Sequence, residues 1–249
     1  MRGEACGSTV HRFHAPDLPD EGALVSLSED EARHLIQVLR LTIGETVRAF
    51  DGRGREHLAK VENASRQRVE LRVGPRAAAA PEPATAITLA AALLKGDKFD
   101  DVVRDAAMLG ALTIQPLVTA HTEVPAARAG STARVDRWRR VALSSIKQCG
   151  RAVIPHLAGP LALDGALAHL PKPWIVLSEP GAGGATRKLP PAPSEATVLV
   201  GPEGGWAPEE IERLTTGGAI FLRLGGRTLR ADAAPIVGLS VLLYEWGDR

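Results

Sequence analysis

The chain has 249 residues, of which 45% are hydrophobic and 24% charged, a composition that excludes wholesale disorder and fibrous repeats and suits two domains, each with its own core. The formal net charge is only +1, so a general electrostatic attraction to nucleic acid is excluded and any RNA site has to be local. Two cysteines, Cys6 and Cys149, stand far apart without metal-ligand spacing, which excludes a disulfide framework and a structural zinc site.

Residues 1–10 lack the apolar run of a secretory signal, and the most apolar stretch, 235–246, is about half the length that a membrane-spanning helix requires; a cytoplasmic protein is expected. From Arg12 to Val73, short apolar runs alternate with turn signals and predict strands over 23–27, 45–50, 57–61 and 68–73. The turn Asp51-Gly52-Arg53-Gly54 predicts a hairpin, and Ser28 with Glu31 opens a helix that runs to about Leu39. The stretch 75–86 holds three prolines and no apolar periodicity, so it reads as a linker between a β-domain over 1–74 and a second domain over 87–249.

Beyond the linker, strands alternate with helices, the pattern of a parallel sheet covered on both faces. Ile87 to Leu93 and Thr113 to Val118 are strands, with a helix between them that carries Phe99, Val102, Val103 and Ala106 at helical spacing. Val135 to Cys149 is a second helix; the stretch Arg134 to Arg151 holds six basic residues against the single Asp136, and the arginines lie mostly opposite the apolar side. Such a run is equally a solvated face or a phosphate contact. The last helix, Ala233 to Trp246, is apolar nearly all round.

Three strand ends stand out: Leu177-Ser178-Glu179-Pro180, Gly201-Pro202-Glu203-Gly204-Gly205, and Leu222 to Arg230. Strand carboxyl ends border the ligand crevice of a parallel sheet, so the three point to one shared pocket. The glycines around Glu203 let backbone approach a ligand closely, and Pro208, Glu209 and Glu210 then open a helix. A tight strand-to-helix turn without a ligand is the alternative on spacing alone. No Walker loop and no dinucleotide fingerprint is present, which disfavours a nicotinamide or nucleotide-phosphate enzyme.

Gly201-Pro202-Glu203-Gly204-Gly205-Trp206 followed by Leu224-Gly225-Gly226-Arg227-Thr228-Leu229-Arg230 resembles the two cofactor-loop motifs of the RsmE family, SPOUT-class methyltransferases that act on N3 of a uridine in 16S ribosomal RNA of the small subunit. The resemblance extends to Arg12-Phe13, to 34–41, to 50–54, to Lys95-Gly96-Asp97-Lys98, to Gln148-Cys149-Gly150-Arg151 and to Glu179, nearly the whole chain. It implies a PUA-like RNA-binding β-barrel followed by an α/β domain tied in a trefoil knot, a homodimer, no metal, and 16S rRNA within the 30S subunit as substrate. S-adenosylmethionine would lie among Leu177, Ser178, Glu179, Gly201, Pro202, Glu203, Gly204, Gly205, Leu222, Leu224, Gly225, Leu229 and Arg230.

Arg230 is then the expected stabiliser of the uridine anion, with Asp232 or Glu203 as proton acceptor. RNA contacts are expected from Arg12, Arg40, Arg53 and Arg55 in the barrel and from Arg137, Arg140 and Arg151 on the basic helix. Two segments depart from the family pattern. Ala231-Asp232-Ala233-Ala234 stands for Thr-Glu-Thr-Ala, and Ala120-His121-Thr122-Glu123 for Ser-Glu-Arg-Ser. The alternatives are a SPOUT enzyme acting on another RNA, and a non-catalytic RNA-binding or ribosome-assembly protein.

Overall fold

The computed structural model describes residues 10–65, 68–124, 130–181 and 188–248. The chain divides into two compact units. The first reaches to Pro81 and takes in Cys149–Val153; the second comprises Glu82–Gln148 and the chain from Ile154 onward.

In the first unit β1 (Arg12–His14), β2 (Leu24–Ser26), β3 (Thr46–Phe50), β4 (Glu56–Ala64) and β5 (Val69–Arg76) form one sheet in the order β1-β3-β4-β5-β2. Val47 and Ala49 on β3 and Val69, Leu71 and Val73 on β5 alternate inward, the two-residue period of a half-buried strand, and meet Phe13, Leu18, Val25 and Leu35 in one core. Burying each of the larger side chains contributes about 1.5–3 kcal/mol. The β3–β4 hairpin is built as expected: the Asp51 carboxylate accepts the backbone N–H of Arg53 at 2.7 Å and of Arg55 at 3.0 Å. Helix α1 (Glu29–Arg33) starts at Ser28, whose hydroxyl accepts the Glu31 N–H, and continues as a π-helical turn over His34–Val38 instead of a regular helix to Leu39. His34 packs edge-on to Phe13, ring centroids 6.3 Å apart.

Residues 149–153 complete this unit. Gly54 N–H donates to the Ala152 carbonyl at 3.1 Å, Ala80 N–H to the Gly150 carbonyl at 2.9 Å, and Arg53 bridges Val153. Arg12 spans Glu56 and the Arg151 carbonyl, and Arg48 also faces Glu56. The expected linker is shorter than its proline content implied: β5 extends through Pro75 to Arg76, and β6 begins at Ala86. Proline is admitted there because the β4–β5 register has just slipped at His57/Ala59.

In the second unit β6 (Ala86–Ala92), β7 (Thr113–Val118), β8 (His156–Leu157), β10 (Trp174–Ser178), β11 (Glu195–Val200) and β12 (Ile220–Arg223) run parallel in the order β12-β10-β11-β6-β7-β8, and β9 (Leu161–Ala162) also pairs with β7. Five of the six residues of β11, and six of the seven of β6, are buried, as a sheet covered on both faces requires. The helices are α2 (Lys98–Met108), α3 (Thr132–Cys149), α4 (Leu163–Leu167), α5 (Pro208–Thr216) and α6 (Ala234–Glu245). On α3 the side chains of Trp138, Ala142 and Ile146 are buried while Arg137, Arg139 and Arg140 are exposed; Trp138 stacks on Phe99 of α2 with centroids 4.7 Å apart. Helix α6 buries Pro235, Gly238, Leu239, Leu242 and Leu243 and leaves Val237, Val241 and Tyr244 exposed in a stripe at i, i+4 and i+7.

Candidate functional site

The carboxyl ends of β10, β11 and β12 open into a cavity of about 550 Å3. It is lined by 177–180 after β10, by 200–206 after β11 and by Leu224, 227–232 and Ala234 after β12, with Lys98 from the start of α2. The size and the mix of apolar wall and backbone polar groups suit a single small organic ligand.

The middle loop takes its shape from glycine at defined points. Gly205 sits at φ 70°, in the left-handed region, and its N–H closes a turn onto the Pro202 carbonyl at 2.9 Å. Gly204 has no such backbone, but a Cβ there would lie 2.9 Å from the Cβ of His121. The loop then enters α5, where Glu210 caps the helix by accepting the Ala207 N–H at 2.9 Å; its other oxygen accepts the Ala120 N–H, also at 2.9 Å.

Charge lies at the rim. Arg230 grips Asp232 through two nitrogens, Nε to Oδ1 at 2.9 Å and Nη2 to Oδ2; the Arg230 side chain is 74% exposed and that of Asp232 only 15%. The hydrogen bond from Arg230 holds the Asp232 carboxyl below the usual carboxylate range, against some desolvation, and the same bond raises the Arg230 guanidinium. Lys98 pairs with Glu203 at 3.3 Å, and Thr228 donates to Glu179 at 3.4 Å. Glu203, Arg230 and Asp232, the three residues expected to act in chemistry, thus all line the cavity.

Of the residues expected around a cofactor, Leu222 and Gly225 do not line it, since β12 still pairs with β10 at Leu222 and the loop turns outward through Gly225 at φ 136°. Pro180, Arg227 and Thr228, which lie within the three strand-end loops, line it as well, whereas sequence reasoning did not assign Lys98, Val200, Ala231 or Ala234 to the wall. The Lys95-Gly96-Asp97-Lys98 motif was the available signal for Lys98. Trp206 also lines the cavity, its ring against Gly201, and its buried Nε1 has no hydrogen-bond partner among the described residues.

The expected RNA contacts separate into two groups. Arg40, Arg53 and Arg55 are exposed, although Arg55 also donates to Asp51 at 2.9 Å and to the Leu18 carbonyl at 2.6 Å. Arg12 and Arg151 are a correction: the Arg12 side chain is 9% exposed and committed to Glu56, and Arg151 is 3% exposed within the first unit, not displayed on α3. On α3, Arg137 pairs with Asp97 and Asp100, whereas Arg140 is exposed and reaches its own helix, at the Asp136 carbonyl. Among the described residues no cluster of side chains suits a metal ion, and no helix is long and apolar enough to cross a membrane.

Comparison with known proteins agrees with this architecture. Residues 81–243 match the family described as RNA methyltransferase domain, and residues 27–74 match the RNA methyltransferase PUA domain. A Mycobacterium bovis protein named ribosomal RNA small subunit methyltransferase E is 33% identical over 94% of this chain and 92% of its own length, and a Synechocystis protein of the same name is 31% identical over 88% and 72%. Among solved structures, a Neisseria gonorrhoeae ribosomal RNA small subunit methyltransferase E bound to S-adenosyl methionine superposes with a TM-score of 0.88 at 28% identity, covering 96% of this chain and 99% of that one. A Legionella pneumophila methyltransferase in complex with the same cofactor gives 0.86 at 30% identity, covering 95% and 98%. With a PUA domain ahead of a parallel-sheet RNA methyltransferase domain, the chain belongs to the ribosomal RNA small subunit methyltransferase E family.

Proposed function

We propose that the chain transfers a methyl group from S-adenosylmethionine to N3 of a uridine in 16S rRNA of the small ribosomal subunit. The observation that carries this reading is the cavity itself: three strand-end loops converge on one small-molecule space with a forked cation and three carboxylates at its rim. The residues fit the cofactor. Backbone of 177–180 and 201–205 suits a flat heteroaromatic ring, and Leu224 and Leu229 supply apolar wall. When bound, S-adenosylmethionine supplies an electrophilic methyl on a sulfonium centre.

Arg230 stabilises the uridine anion that forms as N3 loses its proton, since a guanidinium is permanently charged and forked. Asp232 orients that guanidinium; a carboxyl held below its usual range is a poor base, which leaves Glu203 as the proton acceptor. Positioning of the two reactants supplies most of the rate.

The same reading extends to the rest of the chain. The first unit is an RNA-binding PUA-like barrel, built mainly from about the first 74 residues with a linker after them, with Arg40, Arg53 and Arg55 as its phosphate contacts and Arg137 and Arg140 adding to them from α3. A trefoil knot in the second unit belongs to the same reading. The exposed stripe Val237, Val241 and Tyr244 on α6 supports a homodimer. All of this belongs in the cytoplasm, with ribosome assembly.

The test is transfer of labelled methyl from S-adenosylmethionine to small ribosomal subunits that lack the modification, with free 16S rRNA and transfer RNA alongside, read by nucleoside mass spectrometry. N3-methyluridine in 16S rRNA is the expected product. Label in transfer RNA would move the substrate, and no label despite cofactor binding would replace catalysis with an RNA-binding role.

A further inference from the structure

The glycine loop of the cavity is held from behind by the turn that follows β7. That turn is closed on itself, because the N–H and hydroxyl of Thr119 both meet the Thr122 hydroxyl at 2.9 Å and the Thr122 N–H returns to the Thr119 carbonyl at 3.1 Å. It is pinned to α5 by the Ala120 N–H, which donates at 2.9 Å to Glu210, a residue only 4% exposed. Between these two anchors stands His121. Its Nδ1 lies 3.1 Å from the Gly205 carbonyl, and its Cβ occupies the space a side chain on Gly204 would need. A carbonyl only accepts, so the proton of this hydrogen bond is on Nδ1.

We propose that His121 is a positioning residue for the Gly201–Gly205 loop and, through it, for the methyl donor; this rests on the reading of the cavity as a cofactor site. His121 does not itself line the cavity, whereas Gly204 and Gly205 do. Glycine loses more backbone freedom on ordering than any other residue, so a loop with glycine at 201, 204 and 205 binds tightly only if something fixes it beforehand. The imidazole fixes the Gly205 peptide from the carbonyl side while the Gly205 N–H is held by Pro202. The His121 Cβ fixes how near Gly204 can approach.

Calorimetry with S-adenosylmethionine on the full chain tests this. His121→Ala should weaken binding about fivefold, the ratio that one net hydrogen bond supplies. His121→Asn, whose side-chain amide reaches the same carbonyl, should recover most of the loss. In methyl transfer to small subunits, KM for S-adenosylmethionine should rise in His121→Ala with kcat held, the mark of lost uniform binding; the melting temperature should stay put. Gly204→Ala supplies the second arm: it should do less harm in a His121→Gly background, where the obstructing Cβ is gone, than in the parent. Equal affinity of the parent, His121→Ala and His121→Asn, or strictly additive effects of the Gly204 and His121 changes, would overturn the inference and leave the cofactor site standing. No binding by the unaltered chain would overturn the cofactor site itself and this inference with it.

Discussion

In the first unit Arg12 and Glu56 meet in the interior, their side chains 9% and 0% exposed, whereas at the cavity of the second unit Arg230 meets Asp232 with its own side chain 74% exposed. Both are forked arginine–carboxylate pairs. A buried pair contributes architecture, because removing one partner strands the other charge away from water. An exposed pair contributes little to stability and keeps its cation able to change partners as a substrate anion arrives. Arginine content alone is therefore a poor guide to where a protein meets RNA or does chemistry; the location of the acid across the fold decides.

The largest effect that would sharpen this contrast is at Glu56. Glu56→Gln removes the buried carboxylate that faces both Arg12 and Arg48, and urea unfolding should show a loss of about 3–5 kcal/mol; a loss below about 1 kcal/mol would erase the distinction between the two pairs. Arg230→Ala should do the reverse, lowering turnover about 100- to 1,000-fold while stability and S-adenosylmethionine affinity barely move. Turnover that survives the change would remove Arg230 from the chemistry.

A third substitution joins packing to the cavity. A Cβ at Gly238 on α6 would lie 2.5 Å from Leu177 Cδ1, and Leu177 lines the cavity, so Gly238→Ala should cost about 1–3 kcal/mol in a thermal melt and weaken cofactor binding together. The smallest effect is pH-dependent. Burial pushes the Asp51 carboxyl up, but the backbone N–H of Arg53, the Arg55 guanidinium and the Arg55 N–H outweigh it and hold the carboxyl below its ordinary value. Such a group stabilises the fold above its unfolded pKa and loses that contribution as pH falls through the lower folded one. Asp51→Asn should therefore cost about 1–2 kcal/mol at pH 7, and the gap to the parent should close on acidification below about pH 4. A gap that stays constant across that range would place the Asp51 contribution in its shape and not in its charge.

Local pattern carried most of the fold. The alternation in β3 and β5, the Asp51–Gly54 turn, the largely apolar β6, β10 and β11, and the buried face of α3 all depend on neighbours within a few residues, and such features are legible in one sequence. The convergence of 177–180, 201–205 and 222–230 was legible as well, because parallel strands place their carboxyl ends side by side. What escaped depends on distant partners. Arg12 looks like a surface arginine until Glu56, 44 positions away, is seen against it. His121 stood out as part of a departure from the family pattern, but its partner Gly205, 84 positions on, does not show in the sequence. The short β8 and β9 have too few residues for any periodicity to register.

The return of residues 149–153 to the first unit has a consequence for how the protein is made. A nascent chain emerges in order, and its first five strands are complete long before their closing segment exists: the Arg151 carbonyl that Arg12 engages is synthesised 139 residues later. Until then the hydrogen bonds from Gly54 N–H to Ala152, from Ala80 N–H to Gly150 and from Arg12 Nη2 to Arg151 cannot form, and a fragment ending at Pro81 would lack them permanently. By the time Val153 arrives, β6, β7 and α3 have already emerged. The part of the molecule made first is thus among the last to be finished, and its completion waits on the synthesis of the chain that follows.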